Sequence, residues 1–349
     1  MTKPTAHRDL RSGHDDGLVP LAPLDVGQLG SVDDLVRGMG RTAFGGRRLG
    51  EAADVFEAMV RDPLCFRVVT ISGAMTIAKQ GLVLCEMIDR GWVQAVIATG
   101  ALMTHGFVEA AGMLHFKHRK SMSDEELFEK GYNRVYDTLE LEQNLDDTEK
   151  IVSETLDGLA EDTVLCSSIV TEALGRYLAQ HAPGRAILKS AVARRVPVYV
   201  PAFTDSELGL DVAVYNRRRE MQGRKRRPFD PFLDLERYTD QIRAHETIGI
   251  FTVGGGVPRN WAQQVGPYLD ISQKRLGVAE PFRRFRYGVR ICPEPDHWGG
   301  LSGCTYTEGV SWGKFVPESE GGRFAEVMAD ATIAWPLVVR AVIERIERG

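Results

Sequence analysis

The sequence predicts an α/β protein: a doubly wound, mostly parallel sheet with helices on both faces. Short β-branched apolar runs such as Cys65–Ile71 and Thr247–Val253 alternate with stretches of helical period. The runs lead into small or polar groups, Ser72-Gly73, Thr99-Gly100, Thr204-Asp205 and Gly254-Gly255-Gly256. Strand, glycine turn, helix, strand is the pattern of a βαβ unit, so the sheet is expected to be Rossmann-like, with ligands at the carboxyl ends of its strands.

Taken in order, residues 1–50 read as an N-terminal arm and a short helix, and residues 51–349 as a single α/β domain. Met1 to about Gly30 mixes His, Arg, Asp, Gly and Pro without an apolar run; Ser31 then caps a short helix through Asp33-Asp34-Leu35-Val36, followed by a Gly/Arg-rich connection. A helix from Glu51 breaks at Asp62-Pro63, and Cys65–Ile71 is a buried strand. After Ser72-Gly73-Ala74 a helix runs to about Gly91, and Trp92–Ala98 is the second strand. Val152–Leu159 and Ser167–Gln180 have helical period, Val196–Val200 is a strand, and Thr247–Val253 is another that runs into Gly254-Gly255-Gly256. Phe285–Ile291 and Phe324–Ala329 complete the strands, and the helix Trp335–Arg348 carries the stripe Val339, Val342, Ile343 and Ile346.

Composition narrows the function classes. A chain of 349 residues with 43% hydrophobic content can bury a large core, and its net charge of −5 gives no general attraction to nucleic acid or an anionic membrane. No run is apolar enough for a signal peptide or a membrane span, and five cysteines without a CxxC pair argue for a reducing, cytoplasmic setting. The basic run Arg217 to Arg219 with Arg224 to Arg227 is compatible with a phosphate-rich partner; lacking interleaved aromatics, it reads rather as a solvated connecting loop.

The chemistry centres on Glu308-Gly309-Val310-Ser311-Trp312-Gly313-Lys314. A lysine is a nucleophile only once its ammonium loses a proton, which an apolar wall such as Trp312 favours and a nearby Glu308 opposes. A surface lysine at a turn beside a core aromatic is the alternative reading. Glycines at the carboxyl ends of strands let backbone N–H groups approach a pyrophosphate, which makes a dinucleotide a natural ligand although the GxGxxG signature is absent. His115 and His118 have HxxH spacing with His105 nearby, but no third ligand follows at metalloenzyme spacing, so no metal is expected. His297, in the Gly-rich loop ahead of Lys314, is the more plausible functional histidine.

Together these residues resemble a family. Pro201-Ala-Phe-Thr-Asp205-Ser-Glu-Leu-Gly209, Val253-Gly-Gly-Gly-Val-Pro258, Glu308 to Lys314, Ala329-Asp330-Ala331 and Asn133-Arg134 are similar to segments of deoxyhypusine synthases, from about residue 50 to the C-terminus. The resemblance implies the NAD-binding fold of that family and its chemistry. NAD takes a hydride from spermidine, diaminopropane leaves, the four-carbon unit is held as an imine on Lys314, and an amine acceptor then displaces the lysine. It implies Trp312 and Glu308 as the lining for a polyamine; His105 and Asn260, which depart from the family, and His297 are also placed on the substrate side. Ser72, Gly73, Thr99, Gly100, Asp205, Gly254, Gly255, Gly256, Gly299, Gly300, Asp330 and Ala331 fall at the NAD. It also implies a homotetramer with active sites at subunit interfaces.

The departures bear on the acceptor. His105 stands where the protein-modifying enzymes carry a glutamate, Asn260 replaces a histidine, Leu210 an aspartate, with Asp211 one place on, and Trp298, Gly300 and Leu301 replace polar residues. A charge-assisted hydrogen bond is worth roughly 1.5–3 kcal/mol, so these replacements alter the grip on a polyamine. The expectation is a bacterial-type, homospermidine-synthase-like enzyme that delivers the aminobutyl group to putrescine. The alternatives are deoxyhypusine synthesis on a translation-factor lysine, an NAD-independent hydrolase of a guanidino polyamine, and a non-catalytic polyamine- or NAD-binding protein.

Overall fold

The computed structural model describes residues 11–299 and 304–349. After a 3-10 turn at Val26–Gln28, the chain forms α1 (Val32–Gly40), α2 (Phe44–Arg61), β1 (Cys65–Ile71), α3 (Gly81–Asp89), β2 (Ala95–Ala98) and α4 (Gly100–Ala110). An excursion follows through β3 (Phe116–Lys117), α5 (Asp124–Glu129), β4 (Tyr132–Val135) and β5 (Thr138–Leu141). The chain then returns through α6 (Glu142–Asp157), α7 (Ser167–His181), α8 (Ile187–Arg194) and β6 (Val198–Tyr199), and continues with α9 (Glu207–Met221) and α10 (Phe232–Arg243). The second half comprises β7 (Thr247–Val253), α11 (Gly256–Gln263), α12 (Val265–Leu276), β8 (Phe285–Ile291), α13 (Tyr306–Ser311), β9 (Arg323–Val327) and α14 (Ala331–Arg348).

Six strands form one parallel sheet in the order β6-β2-β1-β7-β8-β9. The chain winds outward from β1 to β6, returns to lay β7 beside β1, and winds outward again to β9. The reversal opens a crevice between the carboxyl ends of β1 and β7, the position at which doubly wound sheets take their ligands. Both faces are buried, so the strands read as continuous apolar runs. Val69, Ile71, Phe251 and Val253 pack into one core with α2, α3 and α14. Phe66, Val68, Ile248 and Ile250 pack into the other with α10, α11 and α12.

Several expectations shift. The boundary placed at residue 50 falls inside α2, which starts at Phe44, and Gly50 lies so close to Gly40 of α1 that an added Cβ would stand 2.4 Å from its Cα. Only Val198 and Tyr199 of the third strand pair with β2, and the second strand pairs from Ala95. The antiparallel sheet β3-β5-β4 was not expected, because its strands are short and partly polar. The basic run is a solvated loop only in part: Arg224 to Arg226 lie in the connection after α9, with Lys225 and Arg226 exposed, but the rest is not loop or not solvated. Arg217 to Arg219 belong to α9, Arg219 is buried against Glu161, and buried Arg227 donates to the carbonyls of Leu159 and Ala160.

Helix α1 is tied to the C-terminus by a buried ion cluster. Arg345, 1% exposed, donates to Asp33 at 2.5 Å and also reaches Asp54 and Glu57 at 2.7 and 3.1 Å. Removing the guanidinium leaves Asp33 buried with only Arg37 and Arg348 at its edge. Arg345→Ala is therefore expected to cost about 3 kcal/mol of stability, read as a lower urea midpoint in equilibrium unfolding.

Candidate active site

Lys314 is placed by backbone pairing. Helix α13 is capped by Thr305, whose hydroxyl accepts from the Glu308 N–H, and ends at Trp312. Gly313, at φ +68°, turns the chain so that the Lys314 N–H donates back to the Gly309 carbonyl. The Lys314 carbonyl then accepts from Phe285 N–H, and Val316 N–H donates to Phe285 O, which fixes the lysine backbone at the start of β8. Its side chain is buried, and Nζ donates to Asn260 Oδ1 at 3.1 Å.

Burial pushes the Lys314 amine below its ordinary value. Among its charged neighbours, the Arg259 guanidinium adds to that fall, while Cys304 and Glu308 oppose it. Arg259, 1% exposed, donates to the Cys304 carbonyl at 2.8 Å and stands over the Tyr306 ring. Lys314 opens into a cavity of about 860 Å³ lined in part by Asn260, Asp270, Cys304, Glu308 and Trp312. Trp312 is 66% exposed and stands on the rim instead of walling the amine. The cavity wall beside it is drawn from α11 and α12 through Asn260, Gln264, Gly266 and Pro267.

The glycine crevice is a separate construction. Gly254 takes φ +82°, and a Cβ there would sit 2.1 Å from Ser72 Oγ, which in turn accepts from Gly255 N–H at 3.0 Å. Gly73 and Gly256 also have positive φ and open space where a Cβ would be. These features suit close approach of a polyanionic ligand to bare backbone at the start of α11. Helix α11 joins the two constructions, because its first residue is Gly256 and its fifth, one turn on, is Asn260.

The remaining expected residues lie at the carboxyl ends of strands. Thr99 caps α4 by accepting from Leu102 N–H, and Gly100 packs against Ser206. Asp205 is exposed in the turn after β6, and Asp330 caps α14 just ahead of buried Ala331. His297 and Gly299 are exposed after β8; Gly300 and Leu301 lie outside the described residues. His105 and His297 do not line the Lys314 cavity. Arg134 of the Asn133-Arg134 pair is taken by Asp124 at 2.6 Å.

Three groups escaped the sequence reading. Arg290, buried at the end of β8, reaches Asp296 at 2.8 Å and the Gly254 carbonyl; its one signal was a charge inside an apolar run. Arg259 sat unnoticed beside Asn260. Glu140 of β5, 1% exposed, meets His105 Nδ1 at 3.0 Å and His115 Nε2 at 2.5 Å. Burial alone would raise its carboxyl, but His105, His115 and Asn144 outweigh that and hold it at about 2. His118 turns away to the Met122 carbonyl.

The sequence profile described as "DS: Deoxyhypusine synthase" matches residues 34–342. The chain belongs to the deoxyhypusine synthase family. It is 33% identical over 331 residues to "Probable deoxyhypusine synthase 2" of Methanosarcina acetivorans, covering 93% of this chain and 90% of that one. It is 30% identical over 313 residues to the "Deoxyhypusine synthase-like protein" of Chlorobaculum parvum, covering 88% and 85%. The "Crystal Structure of a putative deoxyhypusine synthase from Entamoeba histolytica" shares the fold, with a TM-score of 0.59 at 12% identity over 93% of this chain and 97% of that one. Deoxyhypusine synthases transfer the aminobutyl group of spermidine, and the chain is an aminobutyltransferase of that type. No helix among the described residues is long and apolar enough to cross a membrane.

Leu210 and Asp211 differ sharply within this frame. Leu210 is exposed on α9, whereas Asp211 is buried, its Oδ2 has no hydrogen-bond partner, and burial with help from Glu207 and Glu149 pushes its carboxyl up to about 7. A carboxyl raised on folding binds more protons folded than unfolded, so its contribution to stability falls as pH rises from the usual 3.8 to about 7. Asp211→Asn is expected to remove this loss, so that its melting temperature exceeds wild type at pH 8 and the gap narrows toward pH 4.

Proposed function

We propose that the protein is an NAD-dependent transferase that carries the aminobutyl group of spermidine, as an imine on Lys314, to a small amine acceptor, putrescine, yielding homospermidine. The observation that carries this reading is the buried Lys314 amine, lowered by desolvation and held by the neutral Asn260 amide in a cavity with carboxylates at its mouth. A neutral amine there is ready to attack the oxidised carbon of spermidine and expel diaminopropane. Glu308 and Asp270 are suited to the ammonium groups of a polyamine, and the Trp312 indole offers a cation–π face. His297 and His105 are assigned to the substrate side.

The crevice formed by Ser72, Gly73 and Gly254 to Gly256 fits a dinucleotide by its bare backbone, and Thr99, Gly100, Asp205, Gly299, Gly300, Asp330 and Ala331 are assigned to the same ligand. NAD, when bound, supplies the hydride-accepting and hydride-returning chemistry. Asn260 keeps Nζ oriented one helical turn from the crevice, about 6 Å along α11. A cytoplasmic homotetramer with interface sites accords with the exposure of Trp312 and Trp298, two large aromatics at 66% and 67% that another copy would cover.

The acceptor follows from the departures. Asn260 stands where a histidine is expected in the protein-modifying enzymes, and Asp211, buried against α6, does not replace the carboxylate missing at Leu210. A second reading, transfer to a protein lysine, is favoured by the names of the archaeal relatives.

Purified protein incubated with NAD, spermidine and putrescine and trapped with borohydride is expected to carry a four-carbon adduct and release homospermidine, whereas Lys314→Ala does neither. An adduct without homospermidine would transfer the assignment to a protein lysine, and turnover without NAD would sink the transferase reading. Attack needs the neutral amine, and Glu308 raises the Lys314 pKa. Glu308→Gln is therefore expected to shift the rising limb of the rate profile for adduct formation to lower pH.

A further inference from the structure

We propose that His105, His115 and Glu140 form a site for one divalent first-row transition-metal ion, built between α4 and the small antiparallel sheet. The three ligand atoms lie within 4.8 Å of one another. Two imidazoles and one carboxylate make a donor set suited to such ions and leave coordination positions open. HxxH spacing pointed to His118, but the third ligand is Glu140, 25 positions beyond His115 and invisible to a search of local spacing.

Two independent features favour an ion over a hydrogen-bonded cluster. The His115 side chain is fully buried, yet its Nε2, 2.5 Å from Glu140 Oε2, makes no hydrogen bond of acceptable geometry. A bridging ion would give that nitrogen a partner. The other carboxylate oxygen is already committed, since Glu140 Oε1 accepts from the Asn144 amide at 2.6 Å and from Leu141 N–H at 3.0 Å. Those bonds orient the carboxylate and aim Oε2 between the two imidazoles, the usual function of outer hydrogen bonds around a metal.

One neighbour opposes the ion. Lys79 Nζ donates to His115 Nδ1 at 2.8 Å, which favours the tautomer protonated at Nε2. Metal binding requires the proton at Nδ1 instead, with Lys79 turned to Glu109, whose Oε1 is 3.4 Å away. His105 would likewise offer Nδ1, the nitrogen that now faces Glu140 Oε2 at 3.0 Å, as its ligand atom. His105 Nε2 stays outside the ligand set, which leaves the substrate-side assignment of that residue intact.

The test uses the full-length protein, stripped with a chelator, dialysed and titrated with zinc chloride alone. Wild type is expected to bind one equivalent per chain, His115→Ala and Glu140→Gln at least about 100-fold more weakly, and Asn144→Ala about 10-fold more weakly. Lys79→Met should bind several-fold more tightly, a gain that a purely structural hydrogen-bond cluster would not produce. Cobalt substitution should give ligand-field bands in wild type that vanish in His115→Ala, with circular dichroism checking that each variant is folded. Absence of stoichiometric zinc binding by wild type, or equal affinity in folded His115→Ala, overturns the proposal.

Discussion

The site depends on keeping an amine dry with a neutral amide as its hydrogen-bond partner. Lys314 loses water on burial, Asn260 accepts one hydrogen bond without offering a full charge, and Arg259 adds electrostatic pressure against protonation. A carboxylate in place of Asn260 would stabilise the ammonium form of Lys314. Glu308 is held farther out, exposed on α13, and opposes the deprotonation of Lys314 only in part. The backbone pairing of Lys314 with the first residue of β8 makes this arrangement part of the sheet and not of a loose loop.

The sheet's order serves the same end. Because β7 returns beside β1, the Ser72 turn and the Gly254 turn face each other, and the serine hydroxyl fills the volume that a Cβ at Gly254 would need. The neighbouring N–H of Gly255 is held by that hydroxyl, and Arg290 reaches the Gly254 carbonyl from β8. The crevice is thus shaped by three strands, its backbone already fixed by Ser72 and Arg290.

Much of this was legible in the sequence, for identifiable reasons. Cys65–Ile71, Thr247–Val253 and Phe285–Ile291 are buried on both faces, so composition alone marks them as strands. The glycine turns after β1 and β7 were legible because small residues follow each apolar run, and the structure gives Gly73, Gly254 and Gly256 positive φ. What could not be read depends on partners distant in sequence. Arg219 and Arg227 looked solvated because Glu161 and the carbonyls that bury them lie some sixty positions earlier. Glu140 drew no notice in the sequence, since its two histidines lie 25 and 35 positions earlier. The start of α2 was hidden by Gly45-Gly46, a poor helical pair that packing overrides.

Helix α11 has one further implication, for how such a chain can vary. Gly256 and Asn260 belong to one rigid rod, so their separation is set by residue count and not by side chains. Inserting or deleting a single residue between them would rotate Asn260 by about 100° around the helix axis and move it off the lysine while leaving the crevice intact. The outward-facing Val257 can be exchanged freely, but the length of this segment is fixed, and relatives that keep the chemistry should show no gap there.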